Sequence, residues 1–252
     1  MRRLSTRNIR MKAGLAGLLL TAALVGGLIA PATALASCAP GRNHAIGDWF
    51  DGWYNSEGTT NVGGIYSDIL VYSPYVYDDS SYQGVSAWVM LVDSSAYAQV
   101  GWVQYPQGSR GFFDQWTTAN GSSETGTVYY GVGTVGQYAW FTMLYNNPSG
   151  YFTFEYNDGG GNVVMNQPVA KWTPTGVQNY GEIVDAASQM PGGASDHEDF
   201  SSTYWYINGQ GWIPMNGTPQ TYYKDPNNGI GIQFEGSKYS STDDQIWDSC
   251  PS

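Results

Sequence analysis

The chain has 252 residues, with 21 acidic against 10 basic side chains and a net charge of −11. A surface of that sign repels nucleic acid and anionic membranes, which excludes phosphate-backbone and lipid-headgroup binding as its main role. Aromatic residues make up 15% of the chain and glycine occurs 33 times, a composition suited to short strands and tight turns.

Residues 1–36 read as an export signal. Arg2, Arg3, Arg7, Arg10 and Lys12 precede an apolar, small-residue run from Gly14 to Ala30, and Ala34-Leu35-Ala36 has the A-x-A form of a cleavage site. An uncleaved anchor is the competing reading, and the shortness of the run counts against it. Arg2-Arg3 also suits twin-arginine export, a weak signal on its own. The expected product is a secreted domain spanning 37–252, about 216 residues, a size routine for one all-β unit. Five basic and no acidic residues lie in 1–36, so the mature chain keeps five basic against 21 acidic, a net charge of −16. Its self-repulsion falls as carboxylates protonate, which suits an acidic working environment.

The two cysteines, Cys38 and Cys250, stand at the two ends of the mature chain. In an exported protein such a pair reads as a disulfide joining the termini. Leu35-Ala36-Ser37-Cys38 also loosely fits a lipobox, which would acylate Cys38 and strand Cys250.

No segment after the signal holds a helical period. Strands are expected at 64–73, 85–93, 96–105, 112–117, 127–132, 137–145, 151–156, 162–165, 179–185, 203–208 and 230–234, from their β-branched and aromatic content and alternation. Asn147-Pro148-Ser149-Gly150 and Asp158-Gly159-Gly160-Gly161-Asn162 are expected turns. No Gly or Pro follows Glu182 until Pro191, so the 179–185 strand could run on to about Ala186, and Pro191 to Asp196 reads as a long exposed loop. Many short strands at regular spacing predict an all-β, antiparallel, two-sheet sandwich of jelly-roll type.

Two of these strands place an amide or acid in apolar surroundings: Ala98-Gln99-Val100-Gly101-Trp102 and Tyr180-Gly181-Glu182-Ile183-Val184-Asp185. Burying such a group unpaired costs a few kcal/mol, so each is either bonded into a core or retained for chemistry. Alternation puts Gln99 on a face with Tyr97, Gly101, Val103 and Tyr105, and Glu182 with Tyr180 and Val184. Trp102, Trp116, Tyr97 and Tyr180 are the candidate substrate contacts. Tryptophans in such strands, Trp140, Trp172 and Trp205 included, more often pack in cores.

The remaining clusters have plainer readings. Asp196-His197-Glu198-Asp199 has metal-ligand residue types without metal-site spacing and reads as a solvated acidic loop. His44 and His197 are the only histidines, and no Gly-x-Ser-x-Gly elbow accompanies them. Glu155, between Phe154 and Tyr156, is a conceivable glycosidase partner for Glu182. Asn120-Gly121-Ser122 and Asn216-Gly217-Thr218 are glycosylation sequons only in a eukaryotic source.

Gln-Val-Gly-Trp at 99–102, Phe-Phe-Asp-Gln-Trp-Thr at 112–117, Gly-Glu-Ile-Val at 181–184 and Gln-Met-Pro-Gly-Gly at 189–193 resemble the neprosin family of glutamic peptidases, over roughly residues 85–214. That family uses two glutamates. The second maps onto Glu182, while the first falls at Gln99, a departure. The Gln–Glu pair instead resembles eqolisin-type glutamic peptidases, whose β-sandwich carries a catalytic Gln and Glu. The resemblance implies a secreted endopeptidase in which Glu182 activates water and Gln99 steadies the oxyanion. Its substrate is an extended polypeptide. It implies no cofactor, no metal, no nucleic acid, no membrane once the signal is cleaved, and a monomer. The rival expectation is a catalytically inactive neprosin-like module that binds cell-wall, glycan or peptide ligands, which the missing first Glu favours.

Overall fold

The computed structural model describes residues 47–54, 62–74, 76, 84–118, 121, 123–146, 149–183, 192–193, 196–215, 220–226, 234–238, 240 and 242–248. The signal segment, both cysteines and Val184 lie outside them. The described strands, in chain order, are β1 (Gly47–Tyr54), β2 (Val62–Leu70), β3 (Val85–Asp93), β4 (Ala96–Gln104), β5 (Arg110–Thr117), β6 (Glu124–Tyr130), β7 (Tyr138–Asn146), β8 (Tyr151–Asn157), β9 (Val163–Asn166), β10 (Gly176–Ile183), β11 (Gly192–Gly193), β12 (Asp196–Ile207), β13 (Gly211–Pro214), β14 (Gln220–Pro226), β15 (Phe234–Lys238) and β16 (Asp244–Asp248). Pro106–Gly108 forms a 3₁₀ turn, and Gly121 also belongs to a 3₁₀ turn.

The strands form two antiparallel sheets. One runs β14-β1-β10-β3-β4-β5-β6. The other runs β15-β16-β12-β2-β7-β8-β9, with β11 and β13 also paired to β12. The fold is the expected β-sandwich. Short connections account for the antiparallel neighbours: Asp93 pairs with Ala96 across a two-residue turn between β3 and β4. The Asp158–Asn162 turn is tied by Asn157, whose side-chain oxygen accepts from the Gly159 and Gly161 amides at 2.7 and 3.2 Å.

The core lies between the sheets. Ala87, Val89 and Leu91 of β3, Val100 and Trp102 of β4 and Phe112 of β5 meet Ile65 and Ile69 of β2, Phe141 and Met143 of β7 and Phe152 and Phe154 of β8. Phe112 packs edge-on against Phe141 at 4.8 Å, which joins the sheets directly. Each large apolar side chain so buried contributes about 1.5–3 kcal/mol.

Two loop expectations are corrected. Gly192 and Gly193 pair with His197 and Asp196, so that stretch includes a hairpin. Asp196 to Asp199 begins the long strand β12, and Glu198 is fully buried rather than solvated. Its carboxylate accepts from the Trp102 indole N–H at 3.3 Å, which explains how an acid enters the core there. Among the described residues no cluster of His, Cys, Asp and Glu is arranged to hold a metal ion.

Candidate functional site

The first sheet carries a second apolar cluster on the face turned away from the core. It consists of Trp88, Met90, Val92, Val103, Tyr105 and Phe113, with Tyr97, Val128, Tyr130 and Tyr180 packed against it. Pairing across β10, β3, β4, β5 and β6 sorts this face into four rows. One row reads Glu182, Ser86, Val103, Gly111, Tyr130. The next is aromatic: Tyr180, Trp88, Gly101, Phe113, Val128. A third is rich in amides: Gln178, Met90, Gln99, Gln115, Gly126. The last holds Val92, Tyr97, Thr117 and Glu124, and the Thr117 hydroxyl accepts from the Tyr97 amide at 2.9 Å.

The aromatic row depends on a glycine. Trp88 stacks on Tyr180 with centroids 4.5 Å apart and meets Phe113 edge-on at 5.9 Å. A side chain at Gly101 would bring its Cβ to 2.1 Å from the Ala87 carbonyl and 2.5 Å from the Trp88 Cβ, so only glycine lets Trp88 lie there.

Gln99 is 8% exposed, and so is Gln115 directly opposite it on β5. The Gln99 Nε2 donates to the Gln115 Oε1. The Gln115 Nε2 donates to Glu124 Oε1, and the Tyr97 hydroxyl donates to Glu124 Oε2. Burial, then the bond to Glu124, raises the Tyr97 hydroxyl pKa, which keeps it a donor; the charge of Glu182 adds to the same shift. Sequence reasoning missed Gln115 and Glu124. Gln115 stood in an expected strand but with no sign of its partner, and Glu124 preceded the strand expected from Thr127.

The structure thus puts Gln99, Tyr97, Tyr180 and the half-buried Glu182 on one face of one sheet. Gln99 and Glu182 are two strands apart and offset by four residues, with the aromatic row between them. A flat sheet would separate their Cα atoms by about 16 Å, a span that the right-handed twist of a sheet alters. In the row of Gln99 itself, β10 contributes Gln178, which is 4% exposed.

Trp102 and Trp116 lie on the core side of the sheet, opposite the face of Gln99. Trp102 is fully buried in the core and donates to the Leu70 carbonyl at 3.1 Å, and Trp116 packs against Phe154 between the sheets at 5.9 Å. A chain crossing the outer face meets neither ring. Glu155 lies on β8 of the other sheet, bonded by Asn162 at 2.9 Å, so it does not pair with Glu182.

No protein-family model matches this chain, and no curated protein does. Among solved structures it is similar to scytalido-glutamic peptidase bound to a peptide-based transition-state analogue, at 12% identity and a TM-score of 0.57, covering 81% of this chain and 98% of that one. A second structure of scytalido-glutamic peptidase, with a transition-state analogue inhibitor, gives 12% identity and a TM-score of 0.59 over 80% and 98%. SCP-B, a member of the eqolisin family of peptidases in complex with the tripeptide Ala-Ile-His, gives 10% identity and a TM-score of 0.54 over 81% and 98%. Identities this low speak for the fold alone: the chain has the two-sheet fold of eqolisin-type glutamic peptidases over nearly their whole length.

Proposed function

We propose that this chain is a secreted glutamic endopeptidase in which Glu182 is the general base and Gln99 the oxyanion donor. The observation that carries the reading is the placement of this amide and this carboxylate on one outer face of the first sheet, within a fold like that of glutamic peptidases. Tyr97 and Tyr180 flank them, and the substrate is an extended polypeptide lying over the aromatic row. Glu182 takes a proton from water as its oxygen attacks the scissile carbonyl carbon. Charge then gathers on the carbonyl oxygen, where a Gln99 N–H meets it. Glu182 returns the proton to the leaving nitrogen, the C–N bond breaks, and a carboxylic acid and an amine depart. The chemistry is complete with side chains and water.

The test is incubation of the purified mature chain with an unfolded protein from acidic to neutral pH, read by mass spectrometry of fragments. The wild type should cleave, and Glu182→Gln should stay folded and lose cleavage by at least a thousandfold. Cleavage at the wild-type rate by Glu182→Gln removes Glu182 from the reaction.

A second reading rests on one observation: the row partner of Gln99 on β10 is Gln178, and aromatic rings separate Gln99 from Glu182. On this reading the face is a non-catalytic platform for a glycan or peptide ligand, and neither protein in the test cleaves.

A further inference from the structure

We propose that Glu124, acting through Gln115, is a positioning residue that fixes which end of the Gln99 amide is presented as a hydrogen-bond donor. The proposal rests on the reading of Gln99 as the oxyanion donor and adds to it the device that makes that amide directional.

A glutamine side chain has a donor end and an acceptor end of nearly the same shape, so its orientation is set by its neighbours. Here the neighbours form a chain with a single allowed polarity. A carboxylate only accepts, and Glu124 receives the Tyr97 hydroxyl on one oxygen and the Gln115 Nε2 on the other. With its nitrogen committed to Glu124, Gln115 turns its oxygen to Gln99. Gln99 must then turn Nε2 toward Gln115, which leaves the second N–H on the same nitrogen for a substrate oxygen. Flipping any one amide sets oxygen against oxygen in a row whose two glutamines are each 8% exposed, where an unmade bond is costly.

The backbone is arranged for this reach. Glu124 stands opposite Thr117, diagonal to Gln115, and the residue opposite Gln115 is Gly126. A Cβ at Gly126 would lie 3.1 Å from the Gln115 Cγ and 2.8 Å from the Asp114 carbonyl, so any larger residue crowds the side chain that must lean toward Glu124.

The charge, rather than the bulk, of Glu124 is the claim, and three variants isolate it. In Glu124→Gln the chain can run with either polarity. Its kcat should drop roughly tenfold while KM changes less than about twofold, because the lost orientation matters in the transition state. In the double variant Gln115→Glu with Glu124→Gln, an acceptor-only group again faces Gln99, and kcat should recover most of the loss. Glu124→Ala, with no acceptor at all, should be at least as slow as Glu124→Gln. Side-chain amide NMR supplies a readout independent of turnover: the Gln99 Nε2 proton that is bonded to Gln115 should be protected from solvent exchange in the wild type and the double variant, and lose that protection in Glu124→Gln. A folded Glu124→Gln with wild-type kcat and unmoved Gln99 resonances overturns the proposal, as does a double variant no better than the single one in either readout. If no form cleaves peptide yet the Gln99 resonances follow this pattern, the positioning chain stands and the peptidase reading falls.

Discussion

Asn179 and Gln99 are both buried amides in apolar strands of the same sheet, yet they do opposite things. Asn179, fully buried, points between the sheets. Its Nδ2 donates to Asp244 of β16 at 2.6 Å and to the Thr203 hydroxyl of β12 at 3.2 Å, and Thr203 meets the Ser67 hydroxyl of β2 at 2.8 Å. These bonds staple one sheet to the other. Gln99 points the other way, and its bonds stay within one sheet, to Gln115 in its own row and on to Glu124 and Tyr97 in the next. Burial therefore does not separate a structural amide from a functional one. On the proposed reading the direction of the network does: the Asn179 network crosses layers and holds the fold, and the Gln99 network stays in the outer face and orients a donor.

The largest effect expected from this contrast is on turnover. Gln99→Ala should lower kcat by on the order of 10² to 10³, the usual loss for one oxyanion donor, with KM little changed. Its loss of stability should be smaller than a core amide would give, because water can reach the Gln115 oxygen from the outer face. Steady-state kinetics beside thermal melts check both halves, and a stable, fully active Gln99→Ala would make Gln99 a packed residue like any other. Asn179→Ala should show the reverse pattern. It removes one donor from a buried Asp244 oxygen and should cost about 2–4 kcal/mol of stability, with activity per folded molecule unchanged. Denaturant titration measures it.

Adjacent residues on β5 repeat the comparison. Gln115 belongs to the outer row, while Asp114 is wholly buried on the core side, where the Asn166 amide donates to it at 3.5 Å and the Tyr129 hydroxyl also bonds it. Burial raises the Asp114 pKa to about 7, opposed by the hydrogen bonds from Asn166 and Tyr129. A folded-state pKa above the unfolded value near 3.9 means that the native state holds the proton more tightly. The stabilisation is therefore complete below about pH 4 and is lost as pH rises toward 7, by no more than about 1.4 kcal/mol per pH unit. Asp114→Asn should flatten that decline and melt above the wild type at pH 8. Melting curves from pH 4 to 8 decide it; parallel profiles for the two proteins would show that Asp114 does not titrate in this range.

How much of this was legible in the sequence follows from the range of each signal. The period-two alternation is local, so it grouped Gln99 with Tyr97 and Glu182 with Tyr180. The same rule places Trp102 three residues from Gln99 and hence on the opposite face, where the structure has it. Which strands neighbour one another is not local. Nothing near Gln115 announces Glu124, and the four-residue offset between Gln99 and Glu182 depends on pairings through β3. The strands β1, β14 and β16, with their Gly, Asp and Lys content, lack the alternation that marks the others. Glu198 reads as a loop acid because its solvation partner, Trp102, lies 96 residues earlier.

The account turns on Gln99 and Glu182 serving one scissile bond across the aromatic row. The most direct test is a crystal structure of the mature chain with a peptide analogue bearing a tetrahedral centre. The account predicts the analogue on the outer face over Trp88 and Tyr180, with one oxygen of the tetrahedral centre within hydrogen-bond distance of the Gln99 Nε2 and another beside the Glu182 carboxylate. A tetrahedral centre held by Gln99 and Gln178 with Glu182 remote, or an analogue bound away from this face, would contradict it.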